Sequence, residues 1–118
     1  MTKEQFLAKR KLEWLKQERR DFIDIFLEEW ECDKWMAEWE EQEQAFHDQW
    51  HEQHPDGTAD AWDEWVNRQF VVWREERREA LWEEAEDQWK GQAAEYERRW
   101  EEWGKENEGK LLKDFTAL

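Results

Sequence analysis

From Lys3 to Gln53 the chain contains neither glycine nor proline, and from Ala59 to Lys90 again none. Both stretches are built largely from Glu, Gln, Ala, Lys, Arg and Leu, the residues that lose least on entering a helix. Strands would call for β-branched residues and turn formers at short intervals. Valine here occurs only at Val66, Val71 and Val72, and isoleucine only at Ile23 and Ile25. The expected fold is therefore all-α. A length of 118 residues fits one domain with a shared core of modest size.

The interruption, His54-Pro55-Asp56-Gly57-Thr58, has local reasons to turn. Pro55 removes a backbone donor and pushes His54 out of the α region. Gly57 can adopt a positive φ, and Thr58 can cap the next helix, whose first turns carry Asp60, Asp63 and Glu64 near the positive end of the dipole. The expected architecture is a long antiparallel, coiled-coil-like helical hairpin. Helix one covers about 3–53, the turn 54–58, and helix two about 59–103 running through Gly91. Gly104 and Gly109 predict a further break, leaving a short C-terminal helix or tail over 104–118.

Twelve tryptophans carry the apolar pattern, and each brings a large area that must be buried or presented to something. Cys32, Trp35, Met36, Trp39, Phe46 and Trp50 form one stripe at spacings of three and four. Trp62, Trp65, Val66, Phe70 and Trp73 form its counterpart on helix two. The expected shared core is Trp35, Trp39, Trp50, Trp62, Trp65 and Trp73. A second stripe, Trp82, Ala85, Trp89, Tyr96, Trp100 and Trp103, does not line up with the first at 100° per residue, and Trp30 lies off the Trp35–Trp50 stripe. A plain hairpin cannot bury stripes on opposite sides of one helix. Either the helices break near 28–31 and 74–81, or a second molecule completes a bundle. Without Gly or Pro at those points the expectation is unbroken helices and a homo-oligomer. Trp30, Trp82 and Trp89 are then the aromatic candidates for partner contact. The pairs Trp35/Trp39, Trp62/Trp65 and Trp100/Trp103 resemble those of the tryptophan-rich antigens of malaria parasites. That resemblance implies helical domains, but this chain is shorter and acidic where those proteins are lysine-rich.

The formal net charge of −15 is unevenly spread. Residues 1–20 hold Lys3, Lys9, Arg10, Lys11, Lys16, Arg19 and Arg20 against three glutamates, a net of +4. Residues 28–64 hold fourteen acids against Lys34 alone, a net of −13. This charge can be a solvated acidic surface that keeps a tryptophan-rich protein soluble, and three functions can follow besides. The basic start of one copy can meet the acidic corner of another. The carboxylates Glu38, Glu40, Glu41, Asp48, Glu52, Asp63 and Glu64 can imitate phosphates and occupy a basic groove, as a phage-type inhibitor of host defence would. Aromatic residues with Lys9, Arg10, Lys11, Lys16, Arg19 and Arg20 can meet an anionic lipid surface, although the acidic remainder opposes it. The same acidity opposes direct binding of nucleic acid by the chain as a whole.

His47 and His51 share a helical face, and His54 follows three residues later, so the three are candidate metal ligands. The pattern lacks the His-Glu-x-x-His arrangement of zinc proteases, and Cys32 is too far along a straight helix to join. The stretch reads as a hairpin corner with no metal and no other cofactor. Serine is absent, no phosphate-cradling glycine loop or nucleophile motif occurs, and the chain reads as no enzyme. A single cysteine excludes an internal disulfide framework. No apolar stretch is long enough to span a bilayer or act as a secretory signal, so a cytoplasmic location is expected. The leading expectation is a non-catalytic interaction or assembly subunit that binds protein partners through tryptophan-lined helical faces. Acidic mimicry is the alternative, and lipid contact a second.

Overall fold

The computed structural model describes residues 1–116; the last two positions of the expected 104–118 tail lie outside the described residues. The fold is an all-α helical hairpin. Helix α1 covers Lys3–Glu29, a π-helical turn covers Trp30–Lys34, α2 covers Trp35–Gln53, and α3 covers Ala59–Thr116. Among the described residues there is no strand, and no helix is long and apolar enough to cross a membrane.

The starts of α1 and α3 are closed by side-chain caps. At α1 the Gln5 N–H donates to Thr2 Oγ1 at 3.1 Å while the Thr2 N–H donates to Gln5 Oε1 at 3.0 Å, a reciprocal capping box. At α3 the Ala61 N–H donates to Thr58 Oγ1 at 3.2 Å, as the sequence predicts for Thr58. The α2 terminus also ends as expected. His54 leaves the helix at φ −131°, ψ 69°, under the constraint of Pro55. Both its backbone N–H (2.9 Å) and its Nδ1–H (3.0 Å) donate to the Trp50 carbonyl.

Gly57 is needed for a reason other than the expected one. No residue in the described chain has a positive φ. A Cβ on Gly57 would instead lie 2.3 Å from Trp50 Cη2, so the turn requires glycine because the Trp50 indole occupies the space. The expected break at Gly104 and Gly109 is absent, and α3 runs through both. Glycine weakens a helix interior by only about 1 kcal/mol, and aromatic packing further along, Phe115 on Phe6 at 5.3 Å, holds the segment helical.

The described chain forms two compact units, residues 1–24 with 85–118 and residues 25–84. In the first, α1 pairs with the C-terminal part of α3. Phe6 on Phe115, Trp14 on Trp100 (5.6 Å) and Phe22 on Trp89 (5.8 Å) mark the antiparallel seam, with Ile23 and Ala85 fully enclosed. Lys3–Glu108 (3.1 Å), Arg10–Asp114 (3.2 Å), Lys11–Glu97 (3.9 Å) and Arg19–Glu86 flank it. These pairs are solvated and each contributes little. They nevertheless show where much of the basic start goes: to carboxylates of the same unit.

In the 25–84 unit the seam is a ladder of rings. Trp30 meets Trp73 (6.1 Å), Trp39 meets Phe70 (4.8 Å) and Trp73 (5.2 Å), Phe46 meets Trp65 (5.5 Å), and Trp50 meets Trp62 (5.7 Å). Tilted and edge-on contacts at such spacings add about 0.5–1.5 kcal/mol each beyond area burial. The expected core set is found here, with Trp50 buried and Trp35, Trp39, Trp62, Trp65 and Trp73 half-buried.

The π turn resolves the misaligned stripes. The Trp35 N–H donates to the Trp30 carbonyl, five residues back where an α-helix reaches four. One extra residue is thereby absorbed, and Trp30 comes onto the same face as Trp35 and Trp39. On α3 the half-buried and buried positions Trp73, Arg77, Leu81, Ala85 and Trp89 follow one another at steps of four. Each such step turns the seam about 40°. Within the 25–84 unit this carries the seam from Trp73 through the charged Arg77 to Leu81, and within the other unit Ala85 and Trp89 are buried, Trp89 against Phe22 of α1. Helix α1 passes into the π turn at Trp30, and α3 runs unbroken through 74–81, while Trp82 and Trp103 of the second stripe stay exposed.

Candidate partner-binding surface

The three aromatic candidates have different fates. Trp30 is 2% exposed and Trp89 is 8% exposed, whereas Trp82 is 42% exposed. Trp89 packs against Phe22 and, at 4.4 Å, Tyr96. Trp30 packs on Trp73 and its indole N–H donates to Glu38 Oε2. Two of the three are thus interior residues of their own units, and Trp82 alone is presented. Trp103, a member of the same second stripe, is also presented, at 44% exposure.

Glu38, read from the sequence as part of an acidic surface, is committed to holding the hairpin together. Arg77 Nε donates to Glu38 Oε1 at 2.9 Å, and Arg77 Nη2 lies 2.7 Å from the same oxygen. Partial burial pushes this carboxyl up. The bonds from Trp30 and Arg77, with the charges of Arg77 and Lys34, outweigh that and hold it below its ordinary value. The cluster also explains how a guanidinium can stand on the seam, since its charge is met across the helix pair.

The remaining acidic candidates are solvent-facing. Glu40, Glu41, Asp48, Glu52, Asp63 and Glu64 are all exposed. Gln44 Nε2 donates to Asp48 at 3.0 Å, and Arg68 approaches Glu64 at 3.7 Å. Among the described residues Glu40, Glu41, Glu52 and Asp63 enter no ion pair. Glu41, Asp48 and Glu52 recur at spacings of seven and four, which puts them on one face of α2.

The units divide the charge sharply. Residues 25–84 hold 19 acids and 5 basic residues, net −14; residues 1–24 with 85–118 hold 14 acids and 13 basic residues, net −1. The arm from residue 25 to 53 is about 43 Å long at 1.5 Å per residue, so the hairpin carries roughly one net negative charge per 3 Å. A DNA strand carries one per 3.4 Å of axis and the duplex one per 1.7 Å. This unit is as charged along its length as a single nucleic-acid strand.

The histidines line the aromatic end of the hairpin. His47 and His51 lie ring against ring at 4.1 Å, both beside Trp62, and His54 stacks on Trp50 at 4.8 Å and 20°. The Nδ1 of His54 is engaged by the Trp50 carbonyl. Among the described residues no three of His, Cys, Asp and Glu are grouped to hold a metal ion. Cys32 is exposed.

Sequence reasoning missed the Trp30–Glu38–Arg77 cluster. The signal was present as an arginine at a seam position, four residues from Trp73 and four from Leu81, with a glutamate available on the opposing helix. Compared with known proteins, the chain matches no family model, no curated protein and no solved structure.

Proposed function

We propose that this chain is a non-catalytic binding protein that docks the acidic surface of its 25–84 hairpin on a basic protein surface of the kind that holds nucleic-acid phosphates. The observation that carries this reading is the division of charge, net −14 on the hairpin and net −1 on the rest. Two of the three candidate tryptophans are turned inward, which shifts weight from an aromatic adaptor to the carboxylates. The residues that act are Glu40, Glu41, Asp48, Glu52, Asp63 and Glu64; Glu38 supports the hairpin instead. A rigid helical hairpin presents these charges without the ordering cost a flexible acidic tail would incur.

The test is capture from the source cells with the full chain. The comparison is a variant in which those six acids become Gln or Asn, followed by elution with duplex DNA and with single-stranded RNA. A basic protein held by the wild type, lost with the variant and displaced by nucleic acid supports the reading. A partner retained by the neutralised variant and lost on Trp82→Ala would establish the aromatic adaptor in its place.

A further inference from the structure

On α3 of the 25–84 unit, Val71, Glu75, Arg78 and Trp82 recur at spacings of four, three and four, so they form a stripe. It lies across the helix from the seam positions Trp73 and Arg77. Val71 is 56% and Trp82 42% exposed. Two adjoining hollows of about 290 Å³ each follow the stripe, one lined by Phe70, Val71 and Arg74, the other by Glu79 and Trp82, with Glu75 and Arg78 in both.

We propose that two copies of this chain pair antiparallel through this stripe, about a two-fold axis level with the Glu76–Arg77 peptide. The stripe is self-complementary. In such a pairing the layers of an antiparallel coiled coil bring each residue opposite the one at the mirrored position. Val71 then meets Trp82 of the second copy, and Glu75 meets Arg78 of the second copy. Each contact occurs twice by symmetry. Two apolar layers enclose two opposite-charge layers.

Charge also selects the occupant. Residues 71–82 hold Arg74, Arg77 and Arg78 against Glu75, Glu76 and Glu79, a net of zero inside a unit of net −14. This is a segment of the hairpin at which two identical acidic surfaces can approach without like charges in the contact. Arg78 already reaches Glu31 at 3.0 Å, but a guanidinium has five N–H donors and can serve a second carboxylate. Glu75 enters no ion pair among the described residues, so it is available. The contact does not use Glu41, Asp48 or Glu52, and the proposal stands apart from partner binding.

Molar mass by light scattering on size exclusion, in about 0.15 M salt where the Debye length is about 8 Å, tests it. At about 100 µM chain, well above a micromolar Kd, the wild type should show twice the 14.9 kDa of one chain. Glu75→Arg and Arg78→Glu should each run at the single-chain mass. Mixing them in equal amounts should restore the dimer, because one variant then offers only cations and the other only carboxylates at the same layers. If Arg78→Glu loses helicity with its Glu31 contact, Val71→Glu supplies the disrupting change with no ion pair to lose, and should be monomeric. A monomeric wild type, a dimer that survives Glu75→Arg or Val71→Glu, or a mixture of folded variants that stays monomeric overturns the proposal.

Discussion

If the π turn at Trp30–Lys34 exists to bring Trp30 into register with Trp35 and Trp39, then removing its extra residue should be tolerated. Asp33 is exposed within that turn. Deleting it converts the five-residue spacing between Trp30 and Trp35 to four, the spacing at which two residues share a face of an ordinary α-helix. The ring ladder should survive, and stability should stay within about 1 kcal/mol of the wild type, or about 4–8 °C in Tm. Deleting Glu43, equally exposed but inside regular α2, should behave differently. It rotates everything on one side by about 100°, taking Phe46 off Trp65 and Trp50 off Trp62. Trp50 is 5% exposed, and losing the packing of a buried tryptophan costs about 3–5 kcal/mol. Thermal unfolding followed by far-UV circular dichroism should show a Tm lower by at least about 10 °C for that variant. Equal damage from the two deletions would refute the register argument.

Other expectations follow from single contacts. Gly57→Ala should destabilise by about 1–3 kcal/mol in urea titration, because the new methyl meets a buried indole. Gly91→Ala, with open space for its Cβ and helical backbone, should stabilise by about 0.5–1 kcal/mol. Trp30→Ala should cost about 3–5 kcal/mol, whereas Trp82→Ala should stay within about 1 kcal/mol, both read by chemical denaturation at a chain concentration low enough that copies do not pair. Because the folded Glu38 carboxyl sits below its ordinary value of 4.5, its contribution is complete above that value and is lost as pH falls through the folded pKa. Glu38→Gln should therefore cost about 1–2 kcal/mol near neutrality, the pair being partly solvated. It should also flatten the fall in stability below 4.5.

The elements legible in the sequence are those governed by local chemistry. The absence of Gly and Pro specified the helices, and His54–Thr58 specified the corner with its Pro55 stop and Thr58 cap. The ring ladder from Trp35 to Trp73 was visible as periodicity. What was hidden depended on contacts between helices. Arg77 breaks an apolar stripe on paper, yet Glu38 makes it a seam residue of the 25–84 unit. A straight 100° wheel through residues 30–35 misplaced Trp30, because the π turn holds one residue more than a regular helical turn. The same limit touched the glycines: Gly104 and Gly109 carry the local signal of a break, which the packing of Phe115 overrides. For the candidate surface, the sequence showed where the acids are but not that Glu38 would be taken out of their number.

The central claim is that exposed carboxylates on the 25–84 hairpin, acting as a substitute for phosphates, provide the affinity. Its most direct measurement is the equilibrium affinity for the captured basic partner as salt rises from about 50 to 200 mM, for the wild type and for the variant neutralised at Glu40, Glu41, Asp48, Glu52, Asp63 and Glu64. An interface held by about six charge contacts should lose on the order of a thousandfold in affinity over that range. The neutralised chain should bind weakly and with a nearly flat dependence. A wild-type affinity that barely changes with salt, or a neutralised chain that binds as tightly as the wild type, would contradict the account.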